Sequence, residues 1–460
     1  MITAVVGSGG KTSLIHTLKD KYIKEGKKVF VTTTTHMLIE PDTVLSDDAE
    51  EIIRKLEETG YVMAGVPEGI KISSLSEETY KAVCYHADEV LVEADGSKHL
   101  PIKYPNDKEP VYPENTDKVI VVCGLHALGK PAKDVAFRLE YVKKCLDISD
   151  DTVITPEHIQ KLIRKGYMEN LEGKYMNTEI YAAHDGSMYQ RAIAALLKSD
   201  MDVSLIKEEW FAPKPVLMIL GGGHVSKELS EFASRLDYRI HVMDPRPEFA
   251  DIKRFPEAEK VICDSFDNLK DYLVPGGFYT VVTSGHKDDY ICVKTVLESD
   301  YRYVGMIGSR GKVAKTVNRL KEEGASDEKI KTLHAPIGLP IGAVTPGEIA
   351  VSILSEIIQE KNRISSSSVS SELLNSKENG VLCIIIEKTG SAPRGVGSMM
   401  LVTHDGQIDT IGGGPIEYAA FTDARRDSSC CIRHYELGSS ESAKLGMICG
   451  GTCSVLFLPV

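Results

Sequence analysis

The chain has 460 residues, too many for one ordinary hydrophobic core, so two or three domains are expected. With 42% hydrophobic and 26% charged residues it reads as globular, and a net charge of -13 argues against a nucleic-acid backbone as partner. No apolar run approaches a membrane span, Met1 leads directly into a strand pattern, and ten scattered cysteines suggest reduced thiols in a cytoplasm rather than a disulfide framework.

The first predicted unit is a strand over Ile2 to Val6, then a turn of Gly7, Ser8, Gly9 and Gly10, then Lys11, Thr12 and Ser13. Leu14, Ile15, Leu18 and Tyr22 mark the buried face of a helix that Gly26 can close. A lysine ammonium here can reach β- and γ-phosphates, and a threonine hydroxyl can ligate Mg²⁺. Val5 stands where a full Walker turn has its first glycine, so this is a shorter phosphate loop, like those of Mur ligases. The plain alternative is a solvent-facing lysine after a flexible turn. Lys28 to Val31 forms a strand ending in Thr32, Thr33, Thr34, Thr35 and His36. Hydroxyls at such an end face the crevice where α/β sheets bind ligands, unless they are β-branched strand filler. Val90 to Val92 leads into Glu93 and Asp95, two carboxylates on one side of the strand, either of which could hold Mg²⁺. Val119 to Val122 is a fourth strand.

The segments GSGGKTSL, TTTTHM, VEADGSKHLPIK, EPVYP and VCGLHALGKP occur in the order found in the YqeC family, and the chain resembles that family over roughly residues 1 to 200. YqeC proteins are encoded with selenium-dependent molybdenum hydroxylases and are thought to help make their cofactor. The resemblance implies a P-loop-like α/β domain over residues 1–205 that binds ATP or GTP with Mg²⁺. A base-reading Asn-x-x-Asp is replaced by Asn177-Thr178-Glu179-Ile180, so base preference stays open.

After a polar link over 201–214, Val216 to Leu220 is a strand pattern buried on both faces, followed by Gly221, Gly222, Gly223 and His224. Val225, Leu229, Phe232, Ala233 and Leu236 give a helix face, and Tyr238 to Met243 a second strand ending at Asp244. This is a βαβ start whose glycines and helix N-terminus suit a diphosphate and whose acid suits a ribose. An ordinary glycine turn is the alternative. Ser226 replaces the usual third glycine, so the helix is expected to sit slightly further from the strand. Strands at Thr280 to Thr283 and Tyr303 to Ile307 follow, the second leading into Gly308, Ser309 and Arg310. His286 could act on a substrate or be a hydrogen-bonded loop residue. Thr345-Pro346-Gly347-Glu348 reads as a capping box opening a helix to about Glu360.

This glycine turn, Asp244-Pro245-Arg246, the loop from Thr283 to Asp289 and Gly305 to Arg310 resemble the C-terminal Rossmann domain of the XdhC/CoxI family. The resemblance implies that residues 213–362 bind molybdenum cofactor, a pterin phosphate or dinucleotide. Gly221, Gly222, Gly223, His224, Asp244, Arg246, Gly308, Ser309 and Arg310 would line that site. A serine-rich run over 362–375 is expected to be a flexible linker. Val381 to Glu387 is a further strand pattern, and Met399 to Thr403 and Ile408 to Ile411 form a hairpin. With Gly390 to Arg394, Gly412 to Glu417 and Gly446 to Gly451, these segments resemble the small XdhC/CoxI N-terminal domain, here placed after the Rossmann domain over 372–460. Arg394 joins the cofactor residues, and the two parts are expected to meet in space, within one chain or across a dimer. Cys449 lies among glycines, where a soft thiolate could bind molybdenum or transfer sulfur, or simply pack beside a tight turn.

The fold class expected is α/β: a P-loop-like domain, a doubly wound Rossmann-like domain, and a small β-rich α+β domain. The function implied is maturation of a selenium-dependent molybdenum hydroxylase by an NTP-dependent, NTPase- or kinase-like, cofactor-modifying protein. The hydroxylase apoenzyme would be the partner, with a cysteine desulfurase or selenium donor as a further one, and the chain is expected to form a homo-oligomer. An NAD(P)-dependent oxidoreductase ranks lower because no hydride-transfer signature accompanies the turn; a non-catalytic cofactor scaffold is the other rival.

Overall fold

The structure is a computed structural model that describes all residues except 175–176, 213, 237, 365–368, 391–393 and 438–450. Strands β1 (Ile2–Gly7), β2 (Val29–Thr33), β3 (Tyr61–Met63), β4 (Glu89–Glu93), β5 (Lys118–Gly124) and β6 (Asn177–Ala183) form one parallel sheet, ordered β6-β5-β1-β4-β2-β3. Runs such as AVV, VFV and VLV are apolar throughout because both faces of a parallel sheet are covered. Helix α1 (Lys11–Lys24) buries Leu14, Ile15 and Tyr22 on one face. The chain leaves β1 towards β4 and β2 on one side and finds β5 and β6 on the other. The turn after β1 therefore lies at a switch point, where such sheets bind ligands. The edge strand β6 escapes a sequence reading because its exposed positions are polar and only Ile180 and Ala182 are buried.

Strands β7 (Val216–Leu220), β8 (Arg239–Met243), β9 (Lys260–Ile262), β10 (Gly277–Val281), β11 (Tyr301–Met306) and β12 (Leu333–His334) form a second parallel sheet, ordered β9-β8-β7-β10-β11-β12. This is the doubly wound order 3-2-1-4-5-6 of a Rossmann sheet. Leu217 and Ile219 face one buried cluster and Met218 and Leu220 the other, as the period of two requires. Helices α3 (His224–Ser234), α4 (His286–Leu297) and α5 (Arg310–Glu322) begin beyond the C-terminal ends of β7, β10 and β11, with α2 (Met188–Lys198) earlier in the chain. Glu348 caps the long helix α6 (Pro346–Ile364): its carboxylate accepts from Val344 N and Thr345 N, while Glu348 N donates to Thr345 Oγ1. The capping-box reading therefore holds.

The C-terminal sheet is antiparallel: β13 (Val381–Gly390), β14 (Met399–Val402), β15 (Gln407–Asp409), β16 (Cys431–Leu437) and β17 (Gly451–Pro459), ordered β15-β14-β13-β17-β16. Helix α7 (Gly414–Arg426) covers one face through Ile416 and Ala420. The other face, with Leu382, Ile384, Leu401 and Leu456, shares one buried cluster with Ile193 and Leu196 of α2 and with Trp210 and Phe211. Of the two ways the small sheet is expected to meet the Rossmann region, within one chain or across a dimer, the described residues do not show the first: its buried partner is the N-terminal region, while the two clusters of the central sheet draw only on residues 217–357. Buried Arg191 in α2 fastens the join, donating to Ser376 O at 3.1 Å and Glu378 O at 2.6 Å. The serine-rich run is not all linker. Ser371–Asn375 is a helix capped by Ser370, and Val369 and Leu373 are buried in the shared core. Among the described residues no helix is long and apolar enough to cross a membrane.

Candidate functional site

The turn after β1 is built by close approach. A Cβ on Gly7 would lie 2.0 Å from Val122 O, and one on Gly9 2.5 Å from Pro101 O, both at positive φ. Helix α1 starts with no side-chain cap, so its first-turn amides have no side chain answering them. Thr12 and Ser13 are exposed to a cleft of about 800 Å³ that Gly9, Gly10, Glu93, Lys98 and Arg138 also line. Ser8 Oγ is buried and has no hydrogen-bond partner, an orphaned donor inside the turn.

Lys11 is not solvent-facing: only 3% of it is exposed. Its Nζ donates to Gly7 O at 2.7 Å and pairs with Asp95 Oδ1 at 2.8 Å and Glu93 at 3.6 Å. Asp95 is the centre of this arrangement. Its Oδ2 accepts from Gly7 N at 2.9 Å and from Tyr167 OH at 3.1 Å, and pairs with Lys103 Nζ at 2.7 Å. Lys103 also donates to Gly96 O, and Glu109 links it to Arg138. Glu93 and Asp95 thus separate in role. Asp95 is fully buried and pins the turn, whereas Glu93 reaches the cleft. Burial raises the Glu93 pKa above the usual carboxylate range, with Lys11 opposing the shift. Among the described residues no three His, Cys, Asp or Glu side chains are placed together to hold a metal. A Mg²⁺ ion here would therefore depend on Thr12, Glu93, water and phosphate, as Mg²⁺ sites commonly do. Of the four threonines at the end of β2 and just beyond it, Thr32, Thr33 and Thr34 donate to main-chain carbonyls, and Thr35 lines the cleft.

The second glycine turn, after β7, is equally tight. A Cβ on Gly221 would lie 2.6 Å from Val282 O and one on Gly222 2.2 Å from Phe249 O. Gly223 differs, with φ of -69° and nothing within 4 Å of the place a Cβ would take, so space is open above it. Ser226 is fully buried and donates to Gly221 O at 2.5 Å, so its hydroxyl is absorbed by the turn. Helix α3 begins without a side-chain cap and His224 is exposed at its start. Free first-turn amides beside open space fit a phosphate-bearing ligand.

Asp244 is buried and holds the turn through Gly222 N at 2.8 Å, and it pairs with Arg246. Burial alone would raise its pKa, but the hydrogen bonds from Arg246 and Gly222 N carry it below the usual range. Gly308, Ser309 and Arg310 begin α5 after β11; Ser309 caps the helix by accepting from Lys312 N, and Arg310 is exposed. Buried Asp289, in α4, accepts from Thr283 Oγ1 and pairs with Lys312, tying the neighbouring turns together. His286 is exposed at the start of α4.

Arg394 stands apart from this group, donating to Thr410 O at 3.1 Å on the small sheet. Cys449 lies outside the described residues; Cys453, four positions on, is buried in β17, and burial raises its pKa. Sequence reasoning missed Lys103 and Tyr167 at the first turn and Phe249 and Arg254 at the second. Lys103 lay inside the VEADGSKHLPIK segment, but nothing local marked it as a partner of Asp95. Tyr167 had no signal at all, since it is 72 residues from the carboxylate it meets.

Three family descriptions match separate stretches of this chain. Residues 3–140 match the family described as YqeC protein, residues 217–357 the XdhC Rossmann domain, and residues 373–435 the XdhC and CoxI family. The chain is similar to "Uncharacterized protein YqeB" of Escherichia coli, 34% identical over 152 residues, covering 32% of this chain and 28% of that protein. It is similar to a probable xanthine dehydrogenase subunit of Bacillus subtilis, 29% identical over 154 residues, covering 33% and 44%. It is also similar to "Uncharacterized protein YqeC" of Escherichia coli, 29% identical over 167 residues, covering 34% and 62%. Each match spans less than two thirds of the relative's own length.

Proposed function

We propose, from the premise that this chain joins a YqeC region to XdhC and CoxI family regions, that it is a maturation factor for a xanthine dehydrogenase-type molybdenum hydroxylase, selenium-dependent in the finer reading. In this reading residues 1–205 bind NTP with Mg²⁺, residues 213–362 hold molybdenum cofactor, and residues 372–460 complete the protein's cofactor handling in a cytoplasmic setting. The hydroxylase apoenzyme is the partner, and a cysteine desulfurase or selenium donor supplies the chalcogen.

The observation that carries the reading is the cleft at Gly7 to Ser13, where Lys11 and Glu93 stand beneath uncapped amides in a chain that holds a second glycine turn of Rossmann order. Lys11 would leave Gly7 O and neutralise phosphate charge, Thr12 and Glu93 would place the metal, and the amides of α1 would hold the phosphates. Nucleotide would supply an activated phosphoryl group to a cofactor-modifying step. At the central turn, the amides of Gly223 and His224 and the Arg246 guanidinium would hold the pterin's phosphate. Cys449 would serve as a transient ligand or sulfur carrier.

The test is calorimetry of Mg-ATP and Mg-GTP against the full chain and its Lys11→Ala variant. Asp95 keeps Lys103 as a partner in that variant, so it is expected to fold and to lose nucleotide binding. Equal affinity in both proteins would remove the phosphate-loop assignment. Mass spectrometry of the co-purifying ligand tests the pterin half, and hydroxylase activation by a Cys449→Ser variant tests the thiol.

A further inference from the structure

We propose that Arg246, backed by Arg254, is the ligand-reading group of the turn at Gly221 to Gly223, and that the site takes a phosphate-bearing ligand which brings no ribose hydroxyls to Asp244. The inference rests on the reading of this turn as a cofactor site and narrows its ligand class. In a dinucleotide turn, the acid ending the second strand accepts hydrogen bonds from a ribose diol. Asp244 occupies that position after β8, but its acceptor capacity is used. Oδ1 accepts from Arg246 N at 3.0 Å and Arg246 Nε at 2.9 Å; Oδ2 accepts from Gly222 N at 2.8 Å and Arg246 Nη2 at 2.8 Å. A carboxylate offers about four lone-pair sites, and all are taken on a side chain that is 1% exposed. A diol could bind only by displacing Arg246.

The arginine is presented where the acid is not. Two of its five N–H groups go to Asp244, so three remain, and 38% of the side chain is exposed. Its guanidinium lies over the Phe249 ring at 3.8 Å, which fixes its plane. Arg254 lies 5.4 Å from the same ring, donates through Nε to Gly222 O at 2.9 Å, and has a buried Nη2 with no hydrogen-bond partner. The amides of Gly221 and Gly222 are already bonded, to Met243 O and Asp244. Recognition therefore falls to the amides from Gly223 onwards and to two guanidinium groups whose fork matches phosphate oxygens. Asp244 is a positioning residue: it orients Arg246 and pins the turn.

The experiment uses the full chain and the variants Arg246→Gln, Arg254→Gln and Asp244→Asn. NADH, NADPH and inorganic pyrophosphate are the probes. No saturable NADH binding is expected in the wild type. Pyrophosphate affinity at one site should fall by about tenfold or more in Arg246→Gln, because a charge-assisted bidentate contact is lost. Arg254→Gln should weaken the same site, and reads the question independently should Arg246→Gln fail to fold. NADPH binding that Arg246→Gln abolishes, with NADH silent, would support Arg246 as the phosphate reader and identify the source as a nicotinamide 2′-phosphate. Saturable NADH binding weakened by Asp244→Asn would overturn the proposal, as would pyrophosphate affinity unchanged in both arginine variants. A pyrophosphate site that responds to these variants, in a chain that neither retains molybdenum pterin nor binds it when it is supplied, would sink the maturation reading and leave this inference standing.

Discussion

Two glycine turns in this chain are held by the same device and neutralised differently. At each, a carboxylate just beyond a neighbouring parallel strand accepts the amide of a turn glycine: Asp95 takes Gly7 N and Asp244 takes Gly222 N. Asp95 is answered by two lysines that are themselves buried, Lys11 and Lys103. Asp244 is answered by one arginine two residues away, with its outer edge in solvent. The first turn thus keeps its cation inside, engaged with the protein. The second displays its cation. The same backbone geometry can store a charge or present one, and the partner side chains decide which.

The comparison breaks most sharply at the acids. Asp95→Asn leaves two buried ammonium groups short of a counter-charge and is expected to cost about 3–5 kcal/mol. Asp244→Asn should cost about 1–3 kcal/mol, because Arg246 can turn to water. Urea unfolding of the full chain measures both. Equal losses would mean that the two clamps are energetically alike.

Within the second turn, Gly222→Ala drives a methyl against the Phe249 carbonyl and should cost about 1–3 kcal/mol. Gly223→Ala, with open space and an ordinary φ, should stay within about 0.5 kcal/mol. A valine at Gly223 is therefore a test of ligand approach and not of strain. Thermal melts of the paired variants separate the two positions.

Acid should act on Asp244 and Glu93 in opposite directions. The Asp244 pKa is depressed in the folded state, so its contribution is present above the unfolded value of about 3.9 and is lost as pH falls through the folded value. The Glu93 pKa is raised, so its contribution is full below about 4.3 and is lost as pH rises through the folded value. Hydrogen exchange corrected for intrinsic rate should show residues 221–226 losing protection below about pH 4. Protection that persists well below that pH would contradict the role given to the Asp244 carboxylate.

Ser226→Ala removes the hydroxyl donated to Gly221 O. It should cost about 0.5–1.5 kcal/mol, measured by denaturant midpoint. No change would mean that Gly221 O finds another donor.

Short stretches of sequence were enough to specify the strand, glycine turn and helix at both sites. Apolar runs, turn glycines and helical periodicity are local, and so is the capping box at Thr345 to Glu348. Such stretches also placed Gly7 to Ser13, Glu93, Asp95 and Asp244 at turns and strand ends, because these can be read from a few neighbouring positions. What those side chains do there depends on the assembled fold. The groups that use up Asp95 come from Gly7, Lys11, Lys103 and Tyr167, up to 88 residues away in the chain. Hydrogen-bond saturation is a property of such assembled neighbours, so no pattern along the sequence separates Glu93, left facing the cleft, from Asp95, enclosed beside it. The docking of the small sheet has the same origin. Leu382, Ile384, Leu401 and Leu456 read as one apolar face, but only packing against α2 and the grip of Arg191 on Ser376 and Glu378 settle which apolar surface covers it.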